Sequence, residues 1–499
     1  MARRTSTSAR SARVCATASL AFALIVAGAA AAAGQPLGAI AGKLAQADRL
    51  RSSSDPTLVQ ARYDVAREVE DELAGYRPDV KCRLAYQALE RVARAHVAAA
   101  EAFDRLLPAL RAHGERELAR AQVELAKQLP GCRDGAWGRR VVNPPHLLEP
   151  LDGEAFFGRV RARVPEDAAS MELRWNRRVL VRRAIVGERV VTAAPVGATP
   201  GPGSLELRFL NGGGRVLAAP RARGLWLLPR VGAVAPGAGR RDPSLEARLA
   251  TIASGFSGYA AIWIHDLHTG RSAAWNEQAR FPAASTVKLG VLAAALHRYG
   301  PRPEHSPFAY DMSTLAAWSS NLAANRLLEQ FGRGNQGTGR AVVEDELRRL
   351  GATRSTYPGE YRVGTTTSFG PGQPPLVSGR TTTAADLGHV FESLQAAALG
   401  DRTTEERTGL SQHEARVALS YLLHSLPAAD NVGLFRPFLP RGAPMAQKNG
   451  WIESARHTAA IIYASQGPVV VVVLTYRTTL TLAEAQLFAR RVLAASGVS

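Results

Sequence analysis

The apolar periodicity of this 499-residue chain changes twice, and each change marks a different kind of fold. Residues 40–135 are dominated by Glu, Arg, Ala and Leu in a helical pattern, with a start signal at Asp55-Pro56 and a break at Arg77-Pro78-Asp79. Residues 148–230 switch to short alternating runs: Glu172–Trp175, Val179–Val181, Glu188–Thr192 and Leu205–Phe209. Asn211-Gly-Gly-Gly214 then supplies a hairpin turn. From residue 243 the pattern is mixed α/β. Helical stripes and alternating runs need different partners to bury them, so the chain predicts separate domains.

The boundaries follow. A helical domain spans 40–135. A β-sandwich, immunoglobulin-like in general form, spans 148–230. The Gly/Pro/Ala-rich stretch 231–242 is the linker, and an α/β domain fills 243–499. In that last domain, strands near 259–264 and 273–275 pair with late strands at 457–464 and 468–476. They predict one antiparallel sheet built from both ends of the domain and backed by helices.

Residues 1–33 have the layout of an export signal. Arg3, Arg4, Arg10 and Arg13 form a basic region, Ala16–Ala27 an apolar one, and alanines 29–33 offer cleavage sites. The expectation is an exported protein, periplasmic or extracellular, with an uncleaved membrane anchor as the alternative. Export favours a disulfide between Cys82 and Cys132, because a helical hairpin folded near Pro108 or His113-Gly114 brings both to one end. The helices of residues 40–135 show no ligand or acid/base cluster and read as a spacer or docking module.

The net charge of +19 does not make this a nucleic-acid binder. The arginines are spread along every segment, and neither zinc-finger spacing nor an RNA-binding aromatic signature is present. An anionic cell envelope is the expected neighbour. No cofactor or metal is implied: His265 and His268 sit at a hairpin turn, without metal-binding spacing.

The basic residues carry a sharper signal. Only five of the 62 are lysines, and beyond residue 240 only Lys288 and Lys448 remain. Arginine keeps its proton in a protein, whereas a buried lysine can lose it. Lys288 follows Ser285 by three, in a loop that runs into an apolar helix, so the two share one face. A desolvated amine beside a hydroxyl can activate it as a nucleophile. Two more clusters join them: Ser319-Ser320-Asn321, a polar loop before a helix, and Lys448-Asn449-Gly450-Trp451, before a strand. Free amides at the helix start by Ser285 could hold an oxyanion.

In this order these motifs resemble the penicillin-recognising serine hydrolases, most closely class A β-lactamases, whose marks are Ser-x-x-Lys, Ser-Asp-Asn and Lys-Thr-Gly. The likeness covers 243–499. It extends to Asp266–Gly270, Phe281-Pro282, Asn325, Thr381–Thr383 and Leu439-Pro440. It implies a β-lactamase/transpeptidase-like fold and two-step acyl transfer on a small-molecule β-lactam or a peptidoglycan peptide. Ser285 would be the nucleophile, Lys288 its base and Ser319 the proton relay beside Lys448. The amides of Ser285 and Trp451 would hold the oxyanion. Asn321, Lys448, Asn449, Gly450 and Trp451 would bind substrate.

This chain departs from the pattern at Ser320 and Asn449, and the two serines are unusually close in sequence. The family's deacylating glutamate has one candidate, Glu360, outside the usual Glu-x-x-Leu-Asn pattern. Without it a D,D-peptidase or ester hydrolase is the alternative. A third possibility is a non-catalytic envelope-binding protein with a relic hydrolase domain, its N-terminal parts holding an envelope or protein partner. Arg456 and His457 read first as exposed strand charges and second as holders of a substrate carboxylate.

Overall fold

The computed structural model describes residues 37–498 apart from 75–76, 79–81, 105–107, 130–131, 133–136, 139–146, 166, 230–238, 301, 362–378 and 425–431. The basic leader and most of the linker lie outside the described residues. The chain forms two compact units, the first holding residues up to 143 and the second nearly all of the rest. No described helix is long and apolar enough to cross a membrane.

The first unit contains α1 (Leu37–Arg49), α2 (Pro56–Ala74), α3 (Arg83–Asp104) and α4 (Pro108–Gln128). Their apolar stripes meet in a core that includes Leu44, Val69, Leu89, Val92, Leu118 and Leu125. Pro108 opens α4, as the hairpin reading requires, since a helix tolerates proline in its first turn. Gly114 lets α4 approach α3 closely, because a Cβ there would lie 3.2 Å from the Ala99 nitrogen. The hairpin brings Cys82 and Cys132 together as a disulfide, with Cα atoms 4.8 Å apart.

The expectation that these helices hold no acid/base cluster is corrected. Arg62 Nε donates to His96 Nδ1 at 3.0 Å, and its Nη1 lies 2.8 Å from Glu115 Oε1. Arg51 Nε meets the other oxygen of Glu115 at 2.5 Å. Arg62 and His96 are buried, and burial, with the nearby arginines adding to it, pushes His96 well below the usual histidine range. The members lie 34 and 53 positions apart, so no local pattern announces them.

The second unit begins with a two-sheet sandwich. Its strands are β1 (Leu147–Glu149), β2 (Ala155–Phe156), β3 (Val160–Arg163), β4 (Ser170–Trp175) and β5 (Arg178–Ala184), then β6 (Val190–Ala193), β7 (Gly201–Leu210), β8 (Val216–Ala218) and β9 (Arg221–Leu227). One sheet runs β2-β9-β7-β4-β5, with β8 on β7; the other runs β1-β3-β6. Alternation puts Met171, Leu173 and Trp175 of β4 inward, against Val160 and Val191 of the opposite sheet. The predicted turn forms as read, with Asn211 Oδ1 accepting from the amides of Gly213 and Arg215.

The α/β part follows. Its first elements are β10 (Arg240–Arg241), α5 (Pro243–Ser254), β11 (Tyr259–Asp266), β12 (Arg271–Trp275), β13 (Phe281–Pro282) and α6 (Lys288–Tyr299). Next come α7 (Ala309–Ala317), α8 (Asn321–Gly332), α9 (Gln336–Arg349), β14 (Thr381–Thr382), α10 (Ala384–Leu399), α11 (Arg402–Thr408) and α12 (Gln412–Leu423). The last are β15 (Met445–Ile452), β16 (Ala455–Ala464), β17 (Gly467–Tyr476) and α13 (Leu482–Ser496).

The main sheet runs β10-β12-β11-β17-β16-β15, so strands from both ends of the domain pair as predicted. Only β10 is parallel to its neighbour, and residues 240–241 therefore belong to this sheet and not to the linker. α5 and α13 cover one face, burying Leu249, Phe488 and Val492 against Ile262, Val471 and Ala460. α10 lies against β11 and β17, and α12 against the edge strand β15. Asp266, at the turn after β11, accepts from the amides of His268 and Thr269, which confirms the hairpin reading there. Among the described residues no group of three or more His, Cys, Asp or Glu could hold a metal ion.

Candidate active site

Ser285 sits in a turn that is tied at both ends. Ahead of it, β13 pairs with β14, a partner about one hundred residues away in sequence. Ala283 N donates to Arg380 O at 2.9 Å, and Thr286 Oγ1 donates to Ala283 O at 2.7 Å. Behind it, Lys288 N donates to Ser285 O and Leu289 N to Thr286 O, both at 3.2 Å, a tight i to i+3 winding before the α-helix. Ser285 therefore precedes the helix instead of lying on it, and α6 begins at Lys288. Ala284, just before the nucleophile candidate, takes φ +48. Left-handed backbone at a non-glycine residue costs on the order of 1–3 kcal/mol and persists only where its surroundings hold it.

The second strained residue is Ser319, at φ +59, in the loop between α7 and α8. Both retained lysines converge on it. Lys288 is fully buried, and its Nζ donates to Ser319 O at 2.5 Å. Lys448, 1% exposed, donates from Nζ to Ser319 Oγ at 2.7 Å and to its neighbour's carbonyl, Asn449 O, at 2.9 Å. No carboxylate pairs with Lys448 among the described residues, so burial alone acts on it and pushes its pKa from 10.5 down to about 7. A lysine in that state can carry or release a proton near neutral pH.

Lys448 lies inside strand β15, the edge strand that precedes β16. β15 pairs with β16 along its whole length, and Lys448 faces Ala459 across the ladder. As the edge strand, β15 turns alternate amides away from β16. Two residues on, Gly450 permits a close approach: a Cβ there would lie 2.8 Å from Ala283 O and 3.0 Å from Thr286 N. The Ser285 turn thus rests directly on the strand that carries Lys448.

The remaining predicted residues divide. Lys288 and Lys448 meet at Ser319, and Gly450 lies against the turn that carries Ser285. Asn449 alternates to the opposite side of β15, where its Oδ1 accepts from Thr458 Oγ1 at 2.7 Å. There it helps line a cleft of about 120 Å³ with Gly433, Trp451, Arg456 and Leu482. Trp451 is 43% exposed, and the Arg456 guanidinium stacks over its ring at 5.4 Å. Asn321 opens α8, half-buried. Glu360 is exposed, and its backbone carbonyl accepts from Arg380.

His457 is corrected: it is neither an exposed charge nor free to grip a substrate. It is 2% exposed, and both ring nitrogens are engaged, Nε2 with Pro282 O at 2.7 Å and Nδ1 with Thr475 N at 3.2 Å. Burial pushes its pKa down to about 4. The apolar run around it was the available signal, since Thr458–Tyr463 reads as a buried strand and His457 continues it.

Residues 244–300 and 310–495 match a family model described as Beta-lactamase enzyme family. No curated protein matches the chain. Among solved structures the chain is similar to a β-lactamase from Xanthomonas campestris pv. campestris, at 22% identity and TM-score 0.40, covering 50% of this chain and 96% of that one. It is also similar to a β-lactamase from Desulfarculus baarsii, at 21% identity and TM-score 0.41, covering 52% and 98%. A third is PBP-A, at 17% identity and TM-score 0.41, covering 53% and 98%. The C-terminal half of this chain, residues 244–495, belongs to the β-lactamase enzyme family.

Proposed function

We propose that the C-terminal domain is a serine hydrolase that opens a β-lactam or a related amide through an acyl-enzyme. The observation that carries this reading is the meeting of two buried lysines on one serine, Lys288 on the Ser319 carbonyl and Lys448 on its hydroxyl. A buried amine such as Lys448, with no facing carboxylate among the described residues, is costly to keep charged, and groups of this kind cluster at functional sites.

In this reading Ser285 Oγ adds to the amide carbonyl carbon and its proton passes to Lys288. The carbonyl oxygen, now negative, is held by the amides of Ser285 and Trp451. The C–N bond breaks as Ser319 hands its proton to the leaving nitrogen and Lys448 returns a proton to Ser319; the proton taken up by Lys288 then passes through solvent to Lys448, which resets both amines. Asn321 takes the substrate's side-chain amide. Water then cleaves the ester, releasing the acid and restoring the Ser285 hydroxyl.

A second reading is favoured by the exposure of Glu360. A carboxylate open to solvent is a poor candidate for a positioned deacylating base, so the acyl group would leave slowly. The natural substrate would then be a peptidoglycan peptide or an ester, with β-lactams as trapping analogues. Export through the 1–33 segment, and an envelope neighbour drawn by the net positive charge, belong to this same proposal. An immunoglobulin-like reading of the sandwich is supported by its two strand orders, β1-β3-β6 and β9-β7-β4-β5. That reading carries no function by itself.

Intact mass after incubation with a penicillin, and separately with an activated ester, tests the proposal. The expected result is one adduct, lost in Ser285→Ala. Absence of an adduct with every acylating probe sinks it and favours the binding-module alternative.

A further inference from the structure

The turn that presents Ser285 has to keep Ala284 at a left-handed φ, and it needs an anchor on the sheet side. Pro282, two residues earlier, has no N–H to give, so its hold on the sheet comes through its carbonyl. That carbonyl is taken by His457 Nε2, 2.7 Å away, from β16. His457 stands directly opposite Gly450 in the ladder, and Gly450 is the residue whose missing side chain lets the Ser285 turn lie against the strand. The ring is further fixed by Phe281, edge-on at 85° with centroids 6.0 Å apart.

The chemistry of the ring is determined by its second bond. Nδ1 accepts the Thr475 amide proton from β17, so Nδ1 carries no hydrogen and Nε2 must carry one. Only the neutral Nε2–H form serves both neighbours. Protonation would set an N–H against the Thr475 N–H, and the other tautomer would set a lone pair against the Pro282 carbonyl. Arg456, beside it in the strand, is the charged side chain that acts on it among the described residues, and together with burial it keeps the ring neutral.

We infer that His457 is a positioning residue for acylation: its neutral Nε2–H tautomer pins the Pro282 carbonyl to the central sheet and so sets the turn that aims Ser285. The inference rests on the catalytic reading above and adds to it a residue that touches neither substrate nor nucleophile.

The experiment is a time course of Ser285 acylation by a penicillin, in the full chain, for wild type, His457→Leu and His457→Gln. Leu keeps the bulk and removes the donor; Gln restores an N–H near the Nε2 position. A small misplacement of a reacting group costs on the order of 100-fold, so the maximal acylation rate of the Leu variant should fall by about that factor. The half-saturating concentration should stay within about threefold, because the substrate contacts are untouched. The Gln variant should recover most of the loss. Equal rates for wild type and Leu, or a Gln variant no better than Leu, overturn the inference while leaving the catalytic reading intact. A wild type that no probe acylates overturns both.

A second measurement does not depend on either variant folding. In nitrogen-15 spectra of wild type with the imidazoles assigned to their residues through bonds, His457 should be an Nε2–H ring that does not titrate between about pH 5 and 8. A His457 resonance of the other tautomer, or one titrating near the ordinary histidine value, sinks the inference even if both variants fail to fold.

Discussion

The junction between the sandwich and the α/β domain buries a basic side chain, and so does the candidate active site, with opposite results. At the junction, His413 lies in the first turn of α12 with its Nδ1 2.6 Å from Glu154 Oε1 and its Nε2 2.9 Å from Glu304 Oε2. Burial works to strip its proton, but the two carboxylates outweigh it and push its pKa up to about 9. Arg416, one turn along, adds a bond to Glu149 Oε1 at 2.8 Å. Beside Ser319, Lys448 is drier still and has hydroxyl and carbonyl partners but no carboxylate among the described residues, so its pKa falls to about 7. Burial therefore decides little on its own. The presence of a facing carboxylate separates an ion that joins two domains from an amine that can exchange its proton near neutral pH. The same helix α12 packs on β15, so the fixed charge braces the strand that holds the labile one.

The largest effect should come from removing that lability. Lys448→Arg keeps a cation in place but forbids deprotonation, and acylation of Ser285 should fall ~10²–10³-fold, the usual worth of a proton-transfer partner. In wild type the acylation rate should fall as pH rises through about 7, because Lys448 loses the proton it hands to Ser319, and the Arg variant should lose that inflection. An unchanged profile in Lys448→Arg would make Lys448 a simple anchor for a substrate anion. Stability gives an independent reading. Lys448 has a folded pKa below its ordinary 10.5, so the unfolded chain binds the extra proton between about 7 and 10.5. Stability should therefore rise with pH across that window. Lys448→Met should stabilise the protein most below pH 7, by a few kcal/mol, even as it abolishes acylation.

How much of this was legible depended on the range of each interaction in sequence. The two changes of periodicity, the disulfide and the convergence of the two lysines on Ser319 were readable, because each rests on local pattern or on rare residue types. The strand β15 was not, since Lys448, Asn449 and Gly450 are poor strand formers taken alone and become a strand only by pairing with β16. His413 and Glu154 lie 259 positions apart, and nothing near either one anticipates the pairing. His457 looked like a surface charge because its two partners, Pro282 O and Thr475 N, are backbone atoms that any residue type could supply. The buried Arg62 and His96, with Glu115 beside them, were hidden for the same reason of range.

The disulfide offers a pH-independent counterpart to the ionic junction. Cys82 and Cys132 are 50 positions apart, and closing a loop of that size restricts the unfolded chain by about 4 kcal/mol in the chain-entropy account. Cys82→Ser should lower the denaturant midpoint of the helical signal by a similar amount at pH 6 and at pH 9. A loss confined to one pH would mean that charge, not covalent closure, holds the helical unit.

The junction itself should respond to pH in the opposite sense to Lys448. The folded pKa of His413 is raised above its ordinary 6.5, so its contribution is fully present below 6.5 and is lost as pH rises through about 9. His413→Gln should therefore cost on the order of 3 kcal/mol at pH 6 and much less by pH 10, read from denaturant unfolding monitored at both values. In wild type Glu304 is held down to about 2 by His413 and Arg302 against the cost of its burial, and the variant gives up the His413 share of that hold. A variant whose deficit is the same at pH 6 and pH 10 would show that His413 acts by shape rather than by charge.

The smallest effect is expected at Glu360, and it bears on the comparison because this residue is exposed where His413 and Lys448 are enclosed. An exposed carboxylate is wetted and screened, so its field falls off steeply and its hold on a water molecule is weak. Glu360→Gln should change the deacylation rate of a penicillin adduct less than about threefold, below the range that a positioned general base supplies. The measurement is the decay of the adduct mass in wild type and variant after excess penicillin is removed. A 100-fold longer-lived adduct in the variant would reverse the argument: the loop bearing Glu360 would have to close over Ser285 once the acyl group is in place, and the protein would be a β-lactamase in rate as well as in fold.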